Sequence, residues 1–315
     1  MEVPSFLRPL PPGLNKSHPC FNACFPHPNL NGDAHALWWP TRSKEDPEIV
    51  LFFTPGNPGL IEFYLDFLSE VRARAESSTL AILAHAHLGH TPGLRFTPPV
   101  GTTTHFSLQV DSAVEALDAI HAEFPNAKVV SVSHSMGSWI AAEMLKQRPD
   151  GLDRLVMMTP TLHHILDTPN GRRLRWLFYS FPREVVSYLG ALGALLPTAL
   201  LRLLHPSWPA HQVSVLRRLV GSPRTILACL STARGEMQLI REFPDALFAA
   251  NRASIRLFFA VDDDWVPAAT RGVILGRISW PRQNVHVVDM PHSWSIRHED
   301  SAEAGEVVAR WLDDL

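Results

Sequence analysis

The sequence predicts an α/β fold: a mostly parallel central sheet with helices on both faces and a helical insertion before its last two strands. Three observations predict it. Apolar runs of strand length alternate with segments of helical periodicity at short spacing, the pattern of parallel strands joined by crossover helices. The alternation stops over residues 161–251 and then resumes. A serine, a run of aspartates and a histidine fall, in that order, at the ends of three expected strands.

At 315 residues, with 46% hydrophobic and 19% charged side chains, the chain can bury one large core and lacks the composition of a disordered one. Net charge is −3, and with no basic patch a nucleic-acid partner is not expected. Three cysteines make no disulfide framework, and "MEVPSFLRPLPPG" does not resemble a signal peptide; both point to a reducing compartment or a surface facing one.

Residues 1–47, rich in Pro, Asn and Gly, are expected as an N-terminal extension of loops and short strands around "DAHALWWP". Within it "HPCFNACFPH" groups His18, Cys20, Cys24 and His27. The spacing matches no common zinc finger, and the prolines prevent a helix from presenting the second pair, so no metal is expected there. "IVLFFTPG" (49–56) is a continuous apolar run ended by Pro-Gly, as in a strand buried on both faces. "IEFYLDFLSEVRARA" (61–75) has helical periodicity, and "TLAILAHA" (79–86) is the second buried strand. A helix over 106–125 stops near Pro125. "AKVVSVS" (127–133) is the third strand, 138–149 its helix, and "LDRLVMMTP" (152–160) the fourth strand. After the break come "SIRLFFAV" (254–261), a helix-like segment, "NVHVVDM" (284–290) and the amphipathic "SAEAGEVVARWLDDL". The expected organisation is a core of 48–160 and 252–315, with 161–251 inserted as a helical cap or lid.

Chemistry in parallel sheets gathers at the carboxyl ends of the strands. There the strands deliver "TPGNPG" (54–59), "HAHLGH" (85–90), Ser135, "DDDW" (262–265) and "PHSW" (291–294). A serine hydroxyl needs a base, and a histidine base needs a carboxylate to fix its tautomer. The order Ser, Asp, His is that of the α/β-hydrolases. In "SVSHSMGSW" the small residues Ser133 and Gly137 flank Ser135 at the positions a tight strand-to-helix elbow requires, with Ser133 standing where glycine is usual. His292, directly after a strand, is the candidate base; His286 lies within the strand and His298 beyond the loop. Spacing alone leaves Asp262, Asp263 and Asp264 open as the acid. The amide of Met136 follows the nucleophile and is one oxyanion donor. Because Pro58 has no N–H, Asn57 is the first candidate for the second donor, with Gly59 or Leu60 behind it. Gly56 and Gly59 let that loop approach the substrate. His87 and His90, with a third histidine on the same loop, are read as polar residues bordering the pocket rather than as metal ligands. No cofactor is expected.

"FTPGNPGLIEFYLDFL" (53–68), "HLGH" (87–90), "SVSHSMGSW", "DDDWVP" and "PHSWSI" together resemble the lipid droplet-associated hydrolase family, over roughly residues 48–315. The most specific motif is P-G-N-P-G followed by Phe63, Tyr64 and Phe67. The resemblance implies Ser135 as nucleophile, Asp263 as acid in a D-x-W unit with Trp265 beside the pocket, and His292 as base in an H-x-W unit. It also implies an esterase or lipase acting on lipid esters, such as sterol esters or acylglycerols, through an acyl-enzyme. The expected location is the lipid droplet, with the endoplasmic reticulum or cytoplasm second. The elbow serine argues against an epoxide hydrolase or dehalogenase, which needs aspartate there.

Val185–Leu201, "VVSYLGALGALLPTALL", carries no charge, and the apolar stretch reaches 204 with only Arg202 interrupting it. Pro197 breaks it, and it is at the short limit of about 17 residues for a bilayer span. It is expected as a lid over an acyl pocket or as a helix lying in a droplet monolayer or endoplasmic reticulum surface, with flanking arginines at headgroup level. A droplet-binding protein with weak or vestigial hydrolysis is the alternative reading.

Overall fold

The computed structural model describes residues 3–11, 14, 18–43, 45–99, 105–193, 195 and 197–315. In chain order the core elements are β1 (Arg8–Pro9), β2 (Phe21–His27), β3 (Gly32–Trp39), β4 (Ile49–Thr54), α1 (Leu65–Arg74), β5 (Leu80–His85), α2 (His105–Glu123), β6 (Lys128–His134), α3 (Met136–Gln147) and β7 (Arg154–Met158). The insertion holds α4 (Pro169–Leu174), α5 (Ser180–Gly193), α6 (Thr198–Leu204), α7 (Ala210–Val220), α8 (Pro223–Leu239) and α9 (Asp245–Asn251). Then follow β8 (Ile255–Asp262), α10 (Ala268–Arg277), β9 (Val285–Pro291) and α11 (His298–Asp313).

The strands form one sheet in the order β1-β2-β3-β5-β4-β6-β7-β8-β9. β5, β4, β6, β7, β8 and β9 run parallel, and β1, β2 and β3 add antiparallel strands at one edge. The N-terminal extension is therefore part of the sheet: its strands β2 and β3 span seven and eight residues. The prolines and glycines that suggest loops sit mostly outside these two runs, and Pro26 lies near the end of β2.

Alternation along β4 divides the core. Val50 and Phe52 join α2 and α3 in one buried cluster, while Leu51 and Phe53 join α1 and α11 in the other. Burial on both faces is what the uninterrupted apolar strands require. The helix expected over 61–75 begins instead as a 3-10 turn, Ile61–Tyr64, with α1 starting at Leu65. That tight turn brings the Tyr64 hydroxyl back to the Gly56 amide.

In the insertion, Pro197 caps α6, so the apolar segment bends into α5 and α6. Residues 194 and 196 of that segment lie outside the described residues. Among the described residues no helix is long and apolar enough to cross a membrane.

Candidate active site

β6 ends at His134 and α3 begins at Met136, so the chain turns within one residue. Ser135 adopts φ 52° and ψ −122°, a conformation that costs a non-glycine residue about 1–3 kcal/mol. Surrounding contacts hold it: its N–H donates to the Met158 carbonyl at 2.9 Å, and its carbonyl accepts from Ser138 N–H at 3.0 Å. At Gly137 a Cβ would lie 2.5 Å from the Thr54 carbonyl oxygen and 2.7 Å from that of Pro55. The loop after β4 is thus pressed onto the first turn of α3. Ser133 is fully buried. Its hydroxyl lies 3.3 Å from both Ser138 Oγ and the Val156 carbonyl, so a residue larger than glycine is accommodated there.

β9 carries His292 to the serine. Its Nε2 lies 3.0 Å from Ser135 Oγ, and its Nδ1 lies 2.7 Å from Asp263 Oδ2. A carboxylate only accepts, so Nδ1 carries the proton and Nε2 is left to accept from the serine hydroxyl. Of the three adjacent aspartates, Asp263 is buried while Asp262 and Asp264 are exposed. The β8–β9 ladder shifts register between Ala260 and Asp262, with the extra residue on β9, and Asp263 follows directly after the end of β8. Its Oδ1 accepts the backbone N–H groups of Trp265 and Val266, both at 2.8 Å. The D-x-W spacing therefore has a local cause: the carboxylate closes the turn that aims it. Trp265, half-buried, meets the site through that backbone N–H.

Gly56 sits against the elbow; a Cβ there would lie 3.0 Å from Ser135 Cβ and 2.8 Å from His134 Nδ1. Asn57 follows, so its amide belongs to the segment flanking the serine. Met136 opens α3, and its N–H has no carbonyl one turn back to bond. At Gly59 a Cβ would come 2.2 Å from the His87 ring, the closest of these approaches. His87 Nε2 bonds the Pro55 carbonyl at 2.9 Å; His90 Nδ1 accepts from Gly59 N–H at 2.9 Å, and its Nε2 bonds Thr232 Oγ1 at 3.1 Å. Both imidazoles are buried. Burial lowers His87 to about 4 and His90 well below its ordinary value, so both stay neutral. A neutral His90 is what accepting from Gly59 demands. These histidines thus buttress the 55–59 loop. The expectation of a polar loop bordering the pocket is corrected to that extent: runs of histidine suggest exposure, and burial is decided by packing.

Four residues here have no role assigned by sequence alone. Tyr64 Oη accepts from Gly56 N–H at 3.1 Å and lies 2.7 Å from His134 Nδ1, while His134 Nε2 bonds the His292 carbonyl at 3.1 Å. Gln212, fully buried on α7, donates to the carbonyls of Phe63 and Ser295, each at 3.1 Å. Glu236 on α8 is buried, with its carboxyl hydrogen-bonded by the Asn57 side-chain amide. Asn57 Nδ2 also donates to the Cys229 carbonyl at 2.9 Å. Two family signatures meet here as well: Trp294 of H-x-W packs edge-on against Phe67, ring centroids 4.8 Å apart, and against His134 at 5.2 Å. The Phe63–Tyr64–Phe67 pattern could have pointed to Tyr64; nothing local points to Gln212 or Glu236.

His27 spends Nδ1 on Glu115 and Nε2 on His85, so it is not disposed as a ligand with Cys20 and Cys24. Among the described residues, the grouping with ligand atoms mutually within 4.8 Å is His163, His164 and Glu242, at the base of the insertion.

A sequence model of the family described as lipid-droplet associated hydrolase matches residues 47–295. A human protein named lipid droplet-associated hydrolase is 23% identical over 300 residues, covering 87% of this chain and 88% of that protein. A Drosophila melanogaster protein of the same name is 23% identical over 246 residues, covering 73% and 78%. Among solved structures, the 2-hydroxy-6-oxo-6-phenylhexa-2,4-dienoate hydrolase of Rhodococcus sp. strain RHA1 superposes with a TM-score of 0.64 at 15% identity, covering 94% of this chain and 100% of that one. The fold is that of the α/β-hydrolases.

Proposed function

The chain belongs to the lipid-droplet associated hydrolase family, and we propose that it is a serine hydrolase cleaving lipid esters, such as sterol esters or acylglycerols, at droplet surfaces. The observation that carries this reading is the continuous hydrogen-bonded series Ser135 Oγ, His292 Nε2, His292 Nδ1 and Asp263 Oδ2, at 3.0 and 2.7 Å. Ser135 Oγ attacks the ester carbonyl as His292 Nε2 takes its proton. The amides of Met136 and Asn57 stabilise the oxyanion. His292 then gives the proton to the departing alcohol, leaving an acyl group on Ser135. Water, deprotonated by the same imidazole, attacks that acyl group, and the carboxylic acid leaves as Ser135 is restored. Asp263 holds the ring and stabilises the imidazolium.

Delivery of an apolar ester is supported by the insertion's surface. Phe181, Tyr188, Leu189, Leu192, Leu195 and Leu203 are 57–79% exposed, a run of large apolar groups on α5, α6 and their connection. Monomer surfaces rarely expose contiguous patches of that kind without a partner, and a lipid monolayer is the partner the family name suggests. The same surface favours a second reading, in which droplet binding is the main role and hydrolysis is weak.

A fluorophosphonate probe distinguishes the two. Labelling of wild type but not of Ser135→Ala, increased by droplets, supports the enzyme reading with an interfacial lid. Folded protein that stays unlabelled with and without droplets supports the binding role.

A further inference from the structure

We propose that Tyr64 and His134 form a strut that fixes the 55–59 loop and the His292 loop relative to each other, making both positioning residues for the hydrolysis proposed above. The inference rests on that reading of the site.

The strut is built from three hydrogen bonds whose directions are all determined. Gly56 N–H can only donate, so Tyr64 Oη accepts it at 3.1 Å. The His292 carbonyl can only accept, so His134 Nε2 carries the proton across the 3.1 Å between them. Burial keeps the His134 imidazole neutral, which leaves Nδ1 as a lone pair. Tyr64 therefore donates its hydroxyl proton to Nδ1 over 2.7 Å. The series runs from the amide before Asn57 to the backbone of His292, passing beside Ser135. Each member is buried or half-buried, so each bond stands where an unmade partner is costly.

Packing surrounds the strut. The Trp294 ring lies edge-on to Tyr64 at 6.1 Å and to His134 at 5.2 Å between centroids. Gln212 adds a second tie close by, from the 3-10 turn at Phe63, one residue before Tyr64, to Ser295, three after His292. Catalytic groups on separate loops lose rate steeply when displaced by an ångström. A rigid connection between the oxyanion donors and the base is therefore expected to act on turnover more than on binding.

Half-isosteric variants separate the strut from simple packing. Tyr64→Phe keeps the ring and deletes two of the bonds. His134→Asn retains an acceptor near the Nδ1 position and deletes the bond to His292. His134→Gln retains a donor near the Nε2 position and deletes the bond to Tyr64. With a soluble p-nitrophenyl ester, Tyr64→Phe is expected to lower kcat on the order of 10- to 100-fold with KM within about twofold. The double variant Tyr64→Phe/His134→Gln should fall no further than Tyr64→Phe alone, because both break the same series. Turnover of Tyr64→Phe within twofold of wild type, or multiplicative losses in the double variant, would overturn the strut. NMR on 15N-labelled protein gives a readout independent of turnover. Tyr64→Phe should move the ring signals of His134 and His292 together and expose the Gly56 amide to exchange. Unmoved His292 signals overturn the strut even if Ser135 itself proves unreactive. Wild type that fails to label with fluorophosphonate counts against the hydrolase reading and not against the strut.

Discussion

Asp263 and His292 meet at 2.7 Å although 29 residues separate them in the chain, and the second oxygen of Asp263 is occupied by two backbone N–H groups. The carboxylate is thus held on both sides before any substrate arrives. Asp263→Asn would present an amide that can donate to Nδ1 and so favour the wrong tautomer. It is expected to lower kcat/KM by about 10³–10⁴. Asp262→Asn and Asp264→Asn, altering exposed side chains, should stay within about twofold. Equal losses at all three positions in a soluble-ester assay would contradict this assignment of the acid.

Gly137→Ala tests the close approach between α3 and the loop after β4. The two nearest atoms that a Cβ would meet are backbone carbonyl oxygens, and the next is the Thr54 carbonyl carbon; none can swing aside as a side chain could. A loss of about 1–3 kcal/mol is expected, together with displacement of the Asn57 segment. Urea unfolding and fluorophosphonate labelling would be read on the same preparation. Unchanged stability with full labelling would mean that the loop is free to move.

Glu236 gives a pH dependence. Burial raises its carboxyl from the ordinary 4.5 to about 8. Between these values the folded protein keeps a proton that the unfolded chain releases. Stability from this group is therefore present at low pH, declines as pH rises from about 4.5, and levels off above about 8. Glu236→Gln keeps the shape without titrating. Its Tm relative to wild type should rise steadily from pH 5 to pH 8.5, to the variant's advantage. A difference independent of pH would show that Glu236 does not titrate in this window.

The apolar surface of the insertion is testable apart from chemistry. Tyr188→Glu together with Leu192→Glu places charge on side chains that are 72% and 59% exposed. Flotation with triacylglycerol droplets coated by phospholipid should fall by at least tenfold, while hydrolysis of a soluble ester stays within about twofold. Undiminished flotation would assign droplet contact to another surface.

The order of elements, the elbow at Ser135 and the histidine after the last strand are legible in the sequence because each is a local pattern. An apolar run, a helical period and a small-x-Ser-x-Gly turn are set by neighbouring residues. The α/β-hydrolase class follows from their succession. Which aspartate faces His292 is not legible from the run of three, because it depends on the turn that closes on Asp263 Oδ1 and on where β9 delivers His292. Nor does composition tell that the proline-rich N-terminus supplies strands to the sheet, since β3 acquires its partner β5 from beyond β4. The histidines of "HAHLGH" look polar in sequence; folding buries them and spends their ring nitrogens on the 55–59 loop. Tyr64, His134, Gln212 and Glu236 acquire their roles through partners distant in the chain. Such contacts depend on how finished layers pack, and packing is determined by the whole chain at once.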